Sequence, residues 1–346
     1  MRAQPLPDFV TADVDLAGRT TLALPGRAAY LAEISSCRQL AQLANLQQSR
    51  RRFVLGGGSN VVLSGDFDGL LLRMAIAGRE LLGEDADAWY VRAGAGESWH
   101  QLVLWTLARG WPGLENLALI PGTVGAAPIQ NIGAYGLELA DRCQSLEAFD
   151  MARGRLLHLD RAACRFGYRD SVFKQHGWHL DGSHVVTSVT FRLSKDWRPL
   201  TGYADLAAEL DRRRLARPDA RQIADAVIAV RNRKLPDPAT VPNAGSFFQN
   251  PLVSAELGGR LRRDFPELPC HVQPDGRIKI AAGWLIEQAG WKGRDLGRVG
   301  MYEKQALVLV NRGGALGTDV MALARAVQDA VRQRFAVELS PEPVLL

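Results

Sequence analysis

The sequence is short of cysteine, of long apolar runs and of charge of one sign. Its four cysteines, Cys37, Cys143, Cys164 and Cys270, lie far apart among 346 residues. No CxxC pair occurs, so neither a zinc knuckle nor a redox-active pair is suggested. Free cysteines in a reducing compartment are the expectation. No apolar run approaches the roughly 18 residues that span a bilayer. The opening, MRAQPLPDFVTADVD, has no apolar core of the signal-peptide kind. A soluble, cytoplasmic protein without a membrane partner is expected.

Lysine and arginine number 42 against 37 acidic residues, a net charge of +5. That balance is mild. Short clusters at Arg51-Arg52 and Arg212-Arg213-Arg214 read as solvated faces. A nucleic-acid footprint would need a basic stripe with aromatics between, so no nucleic-acid partner is expected. A weakly positive chain does suit an anionic small substrate. No GxGxxG opens a helix after a strand, which argues against a Rossmann nucleotide site. No GxSxG elbow is present, so acyl transfer is not suggested. The six histidines form no ligand pattern, and no metal is expected.

What is present is an ordinary globular composition, 47% hydrophobic and 23% charged. At roughly 150 residues per domain the length predicts two domains or three. The pattern predicts strands at Arg52–Leu55, Val61–Leu63, Gly69–Arg73 and Trp89–Ala93. A helix follows with Trp99, Leu102, Val103 and Thr106 on one face, Ser98 as its cap and Gly110 at its end. Residues 197–206 read as a connector. Amphipathic helices are predicted over 219–233 and 319–334, and a buried strand over 306–310. Strands and helices mix without a regular βαβ alternation, which favours an α+β fold.

Five segments could carry chemistry. Gly56-Gly57-Gly58-Ser59-Asn60 lies between two apolar strands. It reads equally as an anion nest or as a plain glycine-rich hairpin. Residues 113–136 hold one charge, Glu115, with many glycines and prolines and no period. The stretch from Pro121 to Gly136 suits close contact with a large flat ligand carrying a pyrophosphate, such as a flavin dinucleotide; the bland reading is a buried Ω-like loop. Arg169, between Tyr168 and Asp170, could grip a carboxylate in bidentate fashion, although a structural turn is favoured in isolation. Ser246, after Gly245 and beside Phe247, could protonate a strongly basic carbon; in isolation a turn or cap is favoured. Glu342 is framed by Pro341 and Pro343, which suggests a fixed placement rather than a loose terminal carboxylate.

Together these segments resemble the UDP-N-acetylenolpyruvoylglucosamine reductase (MurB) family from about Leu16 to Leu346. The motifs are GGGSNVVL, AGAGESWHQLV, GLENLALIPGTVGAAPIQNIGAYGLEL, CRFGYRDSVFK, KLPDP, NAGSFFQNP, KIAAGWLIEQAGWKG, QALVLVN and the terminal Pro341-Glu342. Tyr203 in the connector is similar to a tyrosine of the longer class of that family. The resemblance implies a two-part FAD-binding module of vanillyl-alcohol-oxidase type with a C-terminal α+β substrate domain. The implied borders are 1–72 with 338–346, then 73–214, then 215–337.

It further implies an oxidoreductase of peptidoglycan precursor synthesis, and so of cell-wall formation, cell shape and division. NADPH would be the reductant, and UDP-N-acetylglucosamine enolpyruvate would be reduced to UDP-N-acetylmuramate. Arg169, Ser246 and Glu342 match its catalytic positions. For FAD it points to Gly56, Gly57, Gly58, Ser59 and Asn60. It points also to Pro121, Gly122, Thr123, Gly125, Ala126, Ile129, Gln130, Asn131, Gly133, Ala134 and Tyr168. For the UDP-sugar it points to Tyr203, Lys234, Asn250, Lys292 and Gln305. A monomer is expected. Two other readings stay open: a flavin oxidase of alcohols or sugars with the same fold, and a non-catalytic flavin- or UDP-sugar-binding protein.

Overall fold

The computed structural model describes residues 6–45 and 51–346. Residues 1–5 and 46–50, which fall in the first expected domain, lie outside the described residues. The chain divides into two compact units. The first gathers the described residues of Met1–Val14 and Ala28–Gly58 with Phe67–Asn232; the second gathers Asp15–Arg27, Ser59–Asp66 and Arg233–Leu346.

The chain opens with β1 (Val10–Asp15), β2 (Arg27–Ile34), α1 (Cys37–Asn45), β3 (Arg52–Leu55), β4 (Val61–Val62) and β5 (Phe67–Met74). A sheet of order β1-β2-β5-β3 forms, with β5 parallel to both β2 and β3. Leu40 and Leu43 of α1, three apart and so on one face, pack with Ile34, Leu72 and Met74.

A second sheet in this unit is antiparallel throughout. Its strands are β6 (Arg79–Glu84), β7 (Ala88–Gly94), β10 (Cys143–Asp150), β11 (Arg155–Asp160) and β12 (His184–Ser194), in the order β11-β10-β12-β7-β6. Between β7 and β10 run α2 (Trp99–Leu107) and a small hairpin, β8 (Gly133–Ala134) and β9 (Leu137–Glu138). The predicted cap is present: Ser98 accepts from the Gln101 N–H at 3.5 Å. Two one-turn helices, α3 (Val172–Gln175) and α4 (Trp178–Asp181), follow β11.

After β12 come α5 (Ala204–Arg212) and α6 (Ala220–Lys234). The start of α5 lies inside the stretch read from sequence as a connector. Leu206 and Leu210 of α5, and Ile223, Ala224, Ala226 and Val227 of α6, share one core with Trp99, Leu102 and Phe191. Burial of that face ties α6 to the first unit. The border between the two units here falls at Asn232/Arg233.

The second unit is built on β13 (Asn243–Ser246), β14 (Leu252–Val253), α7 (Ala255–Asp264), β15 (Cys270–Val272) and β16 (Ile278–Ile280). Then follow α8 (Ala282–Gln288), β17 (Asp295–Leu296), β18 (Val299–Met301), β19 (Val308–Asn311), α9 (Gly317–Phe335) and β20 (Val344–Leu345). One sheet has the order β13-β19-β18-β17 and a smaller one β14-β16-β15. Val320, Leu323, Ala324, Val327 and Val331 of α9 are buried, the helical spacing read from sequence. The terminal strand β20 pairs in parallel with β4, matching Val344 to Val61. Thus β3 and β4 are not partners, and the glycine loop between them is no hairpin. Among the described residues no helix is long and apolar enough to cross a membrane.

Candidate functional site

Two glycine-rich segments meet in the first unit. A Cβ added to Gly57 would lie 2.9 Å from the Gly122 Cα; one added to Gly56 would lie 2.8 Å from Thr123 Oγ1 and 3.1 Å from the Ala126 Cβ. Glycine is needed here for space. The layer beneath repeats the device, since a Cβ on Gly125 would lie 2.5 Å from the Ala95 Cβ, and one on Gly96 2.5 Å from the Ala75 Cα. The Gly125 N–H donates to the Ala95 carbonyl and the Val124 N–H to the Glu97 carbonyl, both at 2.9 Å. Backbone stacks on backbone, which leaves a cradle of small residues.

Such a surface brings peptide groups close to a ligand's phosphates. Thr123 Oγ1 is buried beside it and has no hydrogen-bond partner among the described residues. A buried hydroxyl of this kind calls for a reason. An orphaned donor next to a cradle that any Cβ would fill fits a bound dinucleotide such as FAD.

The rest of the arc is pinned from outside. The Ser171 hydroxyl donates to the Ile129 carbonyl at 2.6 Å. Asn131 is buried with φ +46°. Its Nδ2 donates to Glu138 Oε2 at 2.8 Å and to the Gly167 carbonyl at 3.0 Å, and its Oδ1 accepts from the Ala140 N–H at 2.9 Å. The sequence reading made Asn131 a cofactor contact; both of its amide protons are engaged within the protein. Pro121 and Ala126 are exposed, while Gln130, Gly133 and Ala134 are half-buried.

Arg169 is tied to this arc. Gly167 and Asp170 exchange backbone hydrogen bonds of 3.0 and 3.2 Å, so Tyr168 and Arg169 form a two-residue tip. Arg169 has φ +53°, a left-handed conformation that costs a non-glycine residue about 1 kcal/mol or more. Lys174 Nζ donates to the Arg169 carbonyl at 2.9 Å. The guanidinium donates to the Gly133 carbonyl at 3.1 Å and stands 5.4 Å from the Tyr168 ring centre. A backbone held this firmly aims a fork of N–H donors, which is what bidentate recognition of a carboxylate needs.

Ser246 and Glu342 belong to the second unit, and the backbone brings them together. Asn243 is buried; its Nδ2 donates to the Pro236 and Val241 carbonyls, at 3.1 and 2.9 Å, and its Oδ1 accepts from the Gly245 N–H at 2.9 Å. That lock holds a bulge between Asn243 and Ser246, with Gly245 at φ +67°. The bulge presents Ser246 exposed at the end of β13.

The next residues pair with the end of the chain. Phe248 bridges Pro341 antiparallel, the Gln249 N–H donates to the Ser340 carbonyl at 3.0 Å, and the Glu342 N–H donates to the Phe247 carbonyl at 2.8 Å. Glu342 therefore lies beside Phe247, diagonal to Ser246 across the bridge. Asn60 clamps this strand from its other side. Its Nδ2 donates to the Glu342 carbonyl at 3.3 Å and its own carbonyl accepts from the Val344 N–H at 3.0 Å. Ser59 and Asn60 thus group with the second unit, whereas Gly56–Gly58 belong to the first.

The residues expected for the UDP-sugar are spread over both units. Tyr203, in the first, precedes α5 and is 49% exposed; its ring meets that of Tyr135 edge-on, with centres 5.2 Å apart. Burial raises its phenol above the ordinary range, with Asp205 adding to the effect. In the second unit, Lys234 ends α6 half-buried. Asn250 Oδ1 accepts from the Ala282 N–H at 2.9 Å, at the start of α8. Lys292 pairs with Glu287 at 2.8 Å. Gln305 is half-buried, and its Oε1 accepts from the Leu307 N–H at 3.4 Å.

Two residues of the 113–119 turn region, and His100 of α2 beside it, have structural roles that the sequence reading did not assign. Glu115 is 1% exposed; its Oε1 accepts from Trp197 Nε1 and its Oε2 from the Gly113 N–H, both at 2.6 Å. Asn116 is fully buried and its Nδ2 donates to the Tyr135 and Leu200 carbonyls, each at 2.8 Å. His100 accepts from the Leu119 N–H on Nδ1 at 3.0 Å. The one signal available was a lone acid in a long apolar stretch, which marks a buried, paired carboxylate.

Comparison with known proteins bears on the whole chain. Residues 28–160 match the family model described as "FAD binding domain", and 237–346 match "UDP-N-acetylenolpyruvoylglucosamine reductase, C-terminal domain". A curated UDP-N-acetylenolpyruvoylglucosamine reductase from Dechloromonas aromatica (strain RCB) is 63% identical over 334 residues, covering 96% of this chain and 98% of that protein. One from Azoarcus sp. (strain BH72) is 57% identical over 346 residues, covering 98% and 99%. The crystal structure of UDP-N-acetylenolpyruvylglucosamine reductase (MurB) from Thermus caldophilus is similar at a TM-score of 0.65 and 26% identity, covering 97% of this chain and 99% of that one. The α+β architecture with an FAD-binding module is as the sequence led one to expect. The chain belongs to the UDP-N-acetylenolpyruvoylglucosamine reductase family of FAD-containing oxidoreductases.

Proposed function

We propose that this chain uses NADPH to reduce UDP-N-acetylglucosamine enolpyruvate to UDP-N-acetylmuramate, the reductase step of peptidoglycan precursor synthesis. Bound FAD would supply the redox chemistry, relaying hydride from NADPH to the enolpyruvyl double bond. The cradle of Gly56–Gly58 and Gly122–Ala126 would hold it, with Thr123 Oγ1 available as a donor.

The chemistry assigns the remaining roles. Hydride added to the terminal vinyl carbon leaves negative charge on the α-carbon and its carboxylate, as an enolate. Arg169 stabilises that charge with its N–H fork. Glu342, in its protonated form, donates a second hydrogen bond to the same carboxylate. The enolate carbon is basic enough to take the proton of the Ser246 hydroxyl, which a neutral substrate would not do. Tyr203, Lys234, Asn250, Lys292 and Gln305 bind the sugar nucleotide, the lysines facing its pyrophosphate. For Lys292 this requires exchanging Glu287 for phosphate.

The observation that carries this reading is the pairing of 247–249 with 340–342, which sets the residues just after Ser246 against the segment that carries Glu342. An alcohol oxidase would have no use for a proton donor whose neighbour in the chain is hydrogen-bonded to an acid's backbone. The test is stopped-flow kinetics of Ser246→Ala in two half-reactions. Flavin bleaching by NADPH should keep its wild-type rate, and recovery of colour with substrate should slow ~10²-fold or more. Wild-type rates in both halves would remove Ser246 from the mechanism.

A further inference from the structure

Tyr203 stands half-exposed after a stretch, residues 197–203, that forms neither helix nor strand. A side chain so placed depends on what fixes its root. On its C-terminal side the Tyr203 carbonyl accepts from the Ala207 N–H of α5 at 2.9 Å; on its N-terminal side two hydrogen bonds hold the stretch, and both come from the Glu115–Leu117 turn. Glu115 Oε1 receives Trp197 Nε1 at 2.6 Å, and Asn116 Nδ2 donates to the Leu200 carbonyl at 2.8 Å. The second proton of the same amide goes to the Tyr135 carbonyl, also at 2.8 Å.

Tyr135 is the ring that meets Tyr203 edge-on. It sits at φ +48°, a conformation that needs support from its surroundings. One buried amide therefore ties the backbone of Tyr135 to the stretch that leads into Tyr203. Its orientation is dictated by its partners, because two carbonyls can face an NH2 group but not an amide oxygen. Asn116 Oδ1 is left buried without a partner among the described residues, which marks the two donated bonds as the reason for the residue. The turn itself is rigid: Trp99 Nε1 donates to the Leu117 carbonyl at 2.9 Å, and Glu115 Oε2 receives the Gly113 N–H.

We propose that Asn116, with Glu115 behind it, is a positioning residue that sets the Tyr135–Tyr203 pair for the sugar nucleotide without touching it. This rests on the reading of Tyr203 as a substrate contact. Asn116 is fully buried, so its effect must pass through the tyrosines.

The experiment is a double-mutant cycle on the FAD-loaded enzyme, measuring kcat and KM for UDP-N-acetylglucosamine enolpyruvate. Asn116→Leu keeps the side-chain size and removes both donors. It should raise KM about five- to tenfold, as expected for two lost hydrogen bonds, with kcat within about twofold. In a Tyr203→Ala background the same substitution should add less than twofold to KM. An equal rise in both backgrounds would overturn the proposal, because Asn116 would then act elsewhere. If Tyr203→Ala alone leaves KM unchanged, the reading of Tyr203 fails and the proposal falls with it, by a different signature. If Asn116→Leu does not fold, Trp197→Phe, which removes the donor to Glu115 and keeps an aromatic side chain, takes its place in the cycle. It should raise KM about twofold to threefold, and persistence of that rise in the Tyr203→Ala background overturns the proposal equally.

Discussion

Replacing Gly57 with Ala tests the cradle directly. The new Cβ would lie 2.9 Å from the Gly122 Cα and 3.5 Å from the Gly122 C and N. Carbon atoms pack at about 3.5–4.0 Å, so the two loops must part by at least about 0.5 Å. The atoms in the way are backbone, and no side-chain rotation relieves them. Overpacking of this kind costs about 1–3 kcal/mol. If the strained contact is the one that shapes the FAD site, the dissociation constant for FAD rises about five- to 150-fold. Apoprotein titrated with FAD, followed by flavin fluorescence, gives that number; thermal melts of the apoprotein separate it from loss of fold. Gly83→Ala is the control, since its Cβ would meet nothing within 4 Å; it should change neither readout. A Gly57→Ala protein that binds FAD within twofold of wild type would refute the cradle, whatever its melting temperature.

Arg169→Lys keeps the charge but loses the fork, so substrate-driven recovery of flavin colour should slow ~10-fold or more while bleaching by NADPH is unaffected; unchanged recovery would remove the guanidinium from the mechanism. Gly245→Ala meets no atom within 4 Å, yet its φ of +67° costs alanine about 1–2 kcal/mol. Rapid-mixing experiments should show the substrate half-reaction slowed as Ser246 shifts; unaltered kinetics would mean the bulge tolerates a Cβ. His100 supplies a pH test. Burial, with Arg231 next in effect, pushes its imidazole below the ordinary value of 6.5. The unfolded chain then takes up the proton first as pH falls. The neutral ring's contribution is complete above 6.5 and is lost as pH drops below 6.5 towards the folded value. Melting temperature should fall between about pH 7 and 5, and His100→Gln should flatten that slope; identical slopes would contradict the assignment.

Much of the fold was legible because period and capping speak locally. The α2 helix, with Ser98 before it and Thr106 buried within it, and the long stripes of α6 and α9 were readable one turn at a time. The helices missed are those where the stripe is thin. In α7, Gly258 and Leu261 are the buried positions, too few to set a period. The start of α5 was hidden because Tyr203 offers no capping side chain. Pairing between distant segments was not readable at all. Nothing in Val61–Val62 announces that it pairs with Val344–Leu345, so the glycine loop could pass for a hairpin. The same distance hid the bridge between Phe248 and Pro341, and with it the adjacency of the Ser246 and Glu342 strands. Those two residues were nominated by resemblance, since each alone reads as an ordinary turn or terminal carboxylate. Asn131 carries a structural role that its place in a glycine-rich arc did not announce: its amide holds the arc.

The central claim is most directly tested by an anaerobic visible spectrum of the purified protein, with NADPH added first and UDP-N-acetylglucosamine enolpyruvate second. The account predicts a bound flavin that bleaches with NADPH and regains its colour with the enolpyruvyl substrate. A flavin that bleaches and stays bleached would contradict the proposed substrate; a protein that neither carries nor takes up FAD would contradict the cradle as well.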